Sequence, residues 1–461
     1  MNLWTHQLTA LENLKKVKSY ALHMDPGTGK TAVAVKWIEG LQHTQEHKVL
    51  IFTPPVVCAQ WKQEFETFAK GLASRVAIAT GSSKKKIDVL KSGASIIVTN
   101  YEGVRSKDVR LALYQFQPTI LVCDESHRVK SPSAMQSKEI AKLSRLCLYR
   151  LNMTGTPMTN SELDLFQQFY ILDGGATFGN NFYSFRGKYF EDKNASRRGA
   201  HNYFPDWQVR KGSTEAIKQI LAKRSFVVRK SECLDLPDFL YKEVEVELST
   251  EQLKAYMEMK EDFLTTLKDA QGNAQTAVGR LAITKGLRLQ QIVSGFVTPE
   301  DSEEISFKDN PRLDALSDLL EDLPSPVIVW ASFRRNYKDI AGVCEKLKLS
   351  FGFLTGGQSQ KDRDQTLEDF KAGKLNVLIC NQGAGGEGVN LVQAASSIYY
   401  SRDFSLGKDI QSEARNYRGG SEIHEKVTRY DLVAKGTIDM DVLKALRGKR
   451  DVLEYLLQGV K

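Results

Sequence analysis

The stretch HMDPGTGKTAVAV, His23 to Val35, limits what this chain can become more than any other. A short apolar run gives way to two glycines, a lysine and a threonine, and a helical pattern begins at once. Glycines let the backbone approach a phosphate closely, and the unpaired N–H groups of a helix start point toward it. Lys30 would then reach the β- and γ-phosphates of a nucleotide, and Thr31 would hold Mg2+. Gly27, Thr28, Gly29, Lys30 and Thr31 are the nucleotide-binding candidates. The full pattern is Gly-x-x-x-x-Gly-Lys-[Ser/Thr], and the chain departs from it once, with Met24 in the place of the first glycine. A loop of this kind joins a strand to a helix, so it predicts an α/β fold.

The alternation continues along the chain. Residues 1–172 read as a first lobe, with strand candidates at Tyr20–Met24, Lys48–Thr53, Val76–Ala79, Ser95–Thr99, Ile120–Cys123 and Tyr149–Met153. Residues 301–436 read as a second lobe, with candidates at Val327–Trp330, Phe351–Leu354, Val377–Ile379, Ser397–Tyr400 and Val427–Leu432. Strands alternating with helices imply parallel sheets covered by helices on both faces. Between the lobes, 173–300 has another texture. Phe178 to Lys211 is aromatic, basic and glycine-punctuated, and Leu253 to Val293 reads as helix with a break at Gly272. This region is expected to hold helical insertions and a linker. The tail, 437–461, reads as an amphipathic helix with a basic middle at Arg447, Lys449 and Arg450.

Composition narrows the classes. A chain of 461 residues can bury two or three sizeable cores. No apolar run approaches the roughly 18 residues of a membrane helix, and the first residues carry no signal-peptide core. The six cysteines contain no Cys-x-x-Cys pair, so neither a zinc site nor a disulfide framework is suggested. A net charge of +8 permits a polyanionic partner.

A nucleotide hydrolase also needs an acid at the end of another strand, and ILVCDESHRVK supplies it. Asp124 would order the Mg2+ water shell, and Glu125 would polarise the attacking water. ATP with Mg2+ is the expected pairing.

Asp-Glu-Ser-His at 124–127, followed by LNMTGTPMTN at 151–160, resembles the superfamily-two helicases and translocases. DESHRVK resembles the second motif of the SWI/SNF-type ATPases in particular. The resemblance implies two RecA-like lobes. Thr154, Gly155, Thr156 and Pro157 match the family's turn that couples hydrolysis to movement, and His127 joins them as a coupling residue. Gln7, in WTHQLTALENL, stands where the family reads adenine. FTPPVVCAQWKQEF and IIVTNYEGV resemble first-lobe segments that track the DNA backbone, which makes Trp61 and Tyr101 DNA-binding candidates.

LICNQGAGGEGVNLVQA resembles the family's fifth motif and matches it at Gly385, Gly386, Gly388, Asn390 and Leu391. Gly386 is thereby implied at the nucleotide and Asn390 at DNA. QSEARNYRGGSE carries Gln411, Arg415 and Arg418, which share one face if the segment is helical. The family uses these arginines as fingers on the γ-phosphate, with Gln411 beside the nucleotide. It then continues Arg-x-Gly-Gln, where this chain has Ser421 in place of the glutamine. PVIVWASFRRNYKDI resembles the start of the second lobe and adds Arg334 as a DNA candidate.

The partner implied by the resemblance is double-stranded DNA, with forked or branched DNA as a further candidate. Basic runs at Lys84–Lys86, Arg197–Arg198 and Arg334–Arg335 suit phosphate contacts that read no sequence. The aromatic insertion around Phe182, Phe185 and Tyr189 reads as a small core of its own. Almost the whole chain is motor, which resembles compact bacterial or phage-borne members. The expected place is the cytoplasm of a bacterium or a phage-infected host, with no membrane partner. The leading reading is an ATP-dependent translocase on duplex DNA that remodels DNA or protein–DNA complexes. A strand-separating or branch-migrating helicase is the enzymatic alternative. A nucleotide-gated DNA-binding regulator without turnover is the alternative of another class.

Overall fold

The structure, a computed structural model, describes residues 2–197, 203, 205–269, 275–298, 303–383 and 389–457. The expected break at Gly272 and the glycines Gly385, Gly386 and Gly388 lie outside the described residues. The chain forms two compact units. One comprises Met1–Glu191, Val209–Asp235 and Lys449–Lys461, and the other Asp192–Gln208 and Leu236–Gly448.

The first unit is built on seven strands: β1 Ser19–Met24, β2 Val49–Thr53, β3 Val76–Ala79, β4 Ile96–Asn100, β5 Ile120–Asp124, β6 Tyr149–Met153 and β7 Ser225–Val228. They lie in the order β3-β4-β2-β5-β6-β1-β7, all parallel. Both faces are covered. Val49 and Ile51 belong to one hydrophobic cluster, and Leu50 and Phe52 to another on the opposite face. A strand buried on both sides reads as one continuous apolar run, which is why these strands are legible in the sequence. The helix Asp164–Asp173 packs against an aromatic subcluster, where Phe178 lies 5.2 Å from Phe169 and 5.0 Å from Phe185. The aromatic insertion thus has its own small core.

The second unit holds β8 Asp238–Val246, β9 Val327–Trp330, β10 Phe351–Leu354, β11 Val377–Cys380, β12 Ser396–Tyr399 and β13 Lys426–Ala434. The order is β8-β13-β12-β9-β11-β10, again all parallel. Val327 and Val329 face one cluster, Ile328 and Trp330 the other.

Within 173–300 the helices Thr250–Asp269 and Gln275–Val293 are present. The region also holds strands that were not anticipated, two of which extend the main sheets: β7 completes the first and β8 the second. The tail forms the helix Ile438–Leu457. Among the described residues no helix is long and apolar enough to cross a membrane.

Candidate active site

β1 ends at Met24, and the following loop turns through Gly27 (φ 91°) and Gly29 (φ 81°) into the helix Lys30–Gln42. A Cβ on Gly29 would lie 2.0 Å from Gln7 Nε2, so space as well as backbone demands glycine there. Met24 sends a fully buried side chain into the core, and what it presents to the loop is its carbonyl. That carbonyl accepts the Lys30 ammonium at 2.9 Å, and the Asp25 carbonyl lies 3.5 Å from it. Thr31 follows in the first helical turn, partly exposed. The loop is also gripped from β7: Asp25 N donates to Val228 O at 2.9 Å, and Lys230 N donates to Asp25 Oδ2 at 3.0 Å.

Gln7, on the helix Thr5–Lys15, donates Nε2 to the Thr28 carbonyl at 3.1 Å and accepts from Trp4 N at 2.9 Å. The expected adenine reader therefore rests on the phosphate loop. Beside it lies a cavity of about 830 Å³, lined in part by Trp4, His6, Thr9, Phe226 and Val228. That is within the size range of small-molecule pockets.

β5 delivers the acid pair. Asp124 Oδ2 accepts from Thr53 Oγ1 at 2.9 Å and from Trp61 Nε1 at 3.0 Å. Oδ1 accepts from no donor among the described residues. Burial, with the Glu125 charge adding to it, pushes the Asp124 carboxyl up to about 6 against the pull of Lys30. Such a group gains from a cation. Among the described residues no three His, Cys, Asp or Glu side chains form a metal cage. Mg2+ needs none, since it takes one or two protein ligands and fills its octahedron with phosphate and water. Thr31 and Asp124 fit that role.

Glu125 sits in the left-handed region (φ 51°, ψ 55°), which for a residue other than glycine stores about 1–3 kcal/mol of strain. Burial would raise its pKa. The hydrogen bond from His127, the Lys30 charge and the Thr154 hydroxyl outweigh that and hold the carboxylate below its ordinary range. Thr154 Oγ1 donates to Glu125 Oε2 at 3.1 Å, and His127 Nδ1 lies 3.1 Å from Thr154 Oγ1 and 3.3 Å from Glu125 Oε2. Thr154 Oγ1 also accepts Thr156 N at 3.0 Å. A Cβ on Gly155 would lie 2.8 Å from Pro26 Cδ, so the turn presses on the phosphate loop itself. Glu125, His127, Thr154, Gly155 and Thr156 form one cluster with Lys30 and Pro26.

Sequence reasoning passed over Gln168. Its Oε1 accepts Ser126 Oγ at 2.8 Å, and its Nε2 donates to Pro157 O at 2.6 Å and Asp164 O at 2.8 Å. It ties the loop after β5 to the Thr154–Pro157 turn. Asp164 is a second such residue: its Oδ2 accepts Thr159 N at 2.9 Å, Asn160 N at 2.8 Å and Lys130 Nζ at 3.2 Å. A glutamine in the middle of an apolar helix was the available signal.

Trp61 and Tyr101 are corrections. Both are fully buried, so neither has surface to offer a DNA backbone. Trp61 holds the Asp124 carboxylate, and the Tyr101 hydroxyl donates to Asp124 O at 2.6 Å. They position the acid.

In the second unit the helix carrying Gln411 is Leu406–Glu413. It stops before the arginines, so Gln411, Arg415 and Arg418 do not share a helical face. A turn brings the arginines to the fifth-motif segment instead. Arg415 Nη1 donates to Val389 O at 3.2 Å, Arg418 Nη1 to the same oxygen at 3.4 Å, and Leu391 N to Arg415 O at 2.9 Å. Arg415 Nε donates to Gln411 O at 2.8 Å. Asn390 is exposed beside them, and Arg334 is exposed at the start of the helix Arg334–Lys346. Arg335 is engaged with Asp339 at 2.8 Å and Glu304 at 3.3 Å.

Behind the Gln411 helix lies a buried ionic network. Arg429 pairs with Asp409 at 2.8 Å, Asp431 at 3.0 Å and Glu413 at 3.5 Å, and its guanidinium sits 3.7 Å from the centre of the Tyr399 ring. Arg429→Met leaves these carboxylates short of a cation in a dry interior. The expected cost is about 3–5 kcal/mol, read as an earlier calorimetric transition of the second unit. An unchanged transition contradicts it.

The SNF2-related domain family model matches residues 6–294, and the model of the helicase conserved C-terminal domain matches 311–420. The ATP-dependent helicase/translocase YwqA of Bacillus subtilis is 25% identical over 456 residues, covering 94% of this chain and 46% of YwqA. The chain thus spans about half that relative's length. The p41 protein of Acyrthosiphon pisum secondary endosymbiont phage 1 is 23% identical over 471 residues, covering 99% of this chain and 98% of p41. The solved SWI2/SNF2 ATPase core of Sulfolobus solfataricus in complex with dsDNA aligns at 22% identity with a TM-score of 0.46, over 100% of this chain and 94% of that one.

Proposed function

Since the chain belongs to the SNF2-related family, whose members are ATP-dependent helicase-like enzymes, we propose that it couples ATP hydrolysis to movement along intact double-stranded DNA. The observation that carries this reading is the triangle of Glu125, His127 and Thr154. The base that works on water and the turn that would report to the rest of the motor share hydrogen bonds, so a change at one is a change at the other.

Lys30 and the loop amides bind the ATP phosphates, with Gln7 and its neighbouring cavity taking the base. Thr31 and Asp124 would hold Mg2+, which when bound would supply charge neutralisation to the phosphates. Glu125, kept anionic by its partners, orients the attacking water and takes its proton. Thr154 and His127 hold Glu125 in place and sense the change in its charge. Arg415 and Arg418 would act as the fingers that answer the charge of the transferred phosphoryl group, and Gln411 as the family's glutamine for the nucleotide. Arg334 and Asn390 meet DNA phosphates. Backbone contacts carry no sequence information, which suits a motor that crosses any sequence.

The test pairs triplex displacement on blunt duplex with unwinding of a plain fork, both with ATP. Release of the third strand while the fork stays paired is the expected result. Efficient fork unwinding without triplex release supports the helicase reading, and ATP turnover indifferent to duplex removes the proposal.

A further inference from the structure

Of the basic run Lys84–Lys86, the first two side chains are exposed on the helix Ser83–Leu90, while Lys86 is only 8% exposed. Its stem lies across the segment that follows β4. A Cβ on Gly103 would meet Lys86 Nζ at 3.4 Å, Lys86 Cδ at 3.6 Å and Thr99 Oγ1 at 3.7 Å. The stem is buried while the ammonium at its tip keeps contact with solvent. Among the described residues no carboxylate pairs with this one. Glu102, the acid of the same segment, is turned elsewhere: it accepts Asn100 Nδ2 at 2.7 Å and lies 3.3 Å from Arg128 Nη1.

The position is the carboxyl-end rim of a parallel sheet, where α/β folds bind ligands. It is not the nucleotide site. The strands run β4-β2-β5-β6-β1, so four steps of about 4.8 Å, about 19 Å in all, separate β4 from the strand that carries the phosphate loop.

We propose that Lys86 is a fixed phosphate ligand for the nucleic-acid backbone, the single cation of its run that takes part in gripping DNA. This rests on the reading of the protein as a DNA motor. An ammonium is a point charge suited to one phosphate oxygen. With its stem packed over Gly103 it is held ready, and the ordering cost that an exposed lysine meets on binding is largely absent.

Duplex binding is measured against salt for the whole chain and three variants. Lys86→Met keeps the stem and removes the charge, and the slope of log affinity against log salt should become less negative by about 0.9, one phosphate's share. Lys86→Arg should keep the original slope, and so should Lys84→Met. An unchanged slope in Lys86→Met overturns the proposal while leaving DNA binding itself intact. Equal loss in Lys86→Met and Lys86→Arg also overturns it, since stem packing would then be the cause. A chain that shows no salt-dependent duplex binding removes both this site and the motor reading.

Discussion

Glu125→Gln binds ATP near its original strength and hydrolyses it about 10²–10⁴-fold more slowly, the share of a positioned general base. Glutamine has the shape of glutamate and keeps an oxygen to accept the Thr154 hydroxyl, which lies 3.1 Å from Glu125 Oε2. It cannot take a proton from water. The cluster around it is unusually dependent on charge, because the hydrogen bond of His127 and the field of Lys30 are what hold the carboxylate ionised against burial. Lys30→Ala fails at an earlier stage. It removes the ammonium now resting on the Met24 carbonyl and weakens ATP binding itself. Equilibrium ATP binding beside single-turnover hydrolysis separates the two. Equal loss of binding in both variants overturns the division of roles.

Arg418→Ala keeps near-normal affinity for ATP and duplex and loses about 10³–10⁵ in DNA-stimulated turnover, the range for an arginine finger. Arg418→Lys does not restore it, because a point charge cannot reproduce the planar guanidinium fork. The two arginines are not equivalent. Arg415 is the more buried and directs Nε and Nη1 to the carbonyls of Gln411 and Val389, so its loss also loosens the turn. Arg418 is more exposed and touches the Val389 carbonyl at 3.4 Å. Steady-state turnover at saturating DNA decides the matter, and full activity in the lysine variant ends the finger assignment.

What the sequence displays follows from where each residue is buried. Strands such as Val49–Thr53 and Val327–Trp330 are enclosed on both faces, so they stand out as apolar runs. β8, Asp238–Val246, is an edge strand with most of its side chains exposed, and its charges read as a loop. β7 is four residues long, and its pairing partner β1 lies some two hundred positions earlier, beyond any local pattern. The acid pair and the phosphate loop are legible because their chemistry demands particular residues at particular places. Gln168 is not, since a buried glutamine looks like any helix residue until Ser126 and Pro157 are seen on either side of it. Trp61 and Tyr101 mislead for a related reason. An aromatic in a segment near DNA suggests a contact, but their polar tips belong to Asp124.

During synthesis, the strand that ends on the phosphate loop stands uncovered for a time. β1 pairs with β6 on one side and with β7 on the other. β6 is complete at Met153, whereas β7 begins at Ser225. At about 5–20 residues per second the ribosome takes roughly 4–14 s to cross that gap. Through that interval the apolar Ser19–Met24 edge is a template for pairing with any other chain. Haste in release therefore favours aggregation, and a pause or a chaperone near this point favours yield. A fragment cut anywhere ahead of Ser225 keeps the open edge permanently.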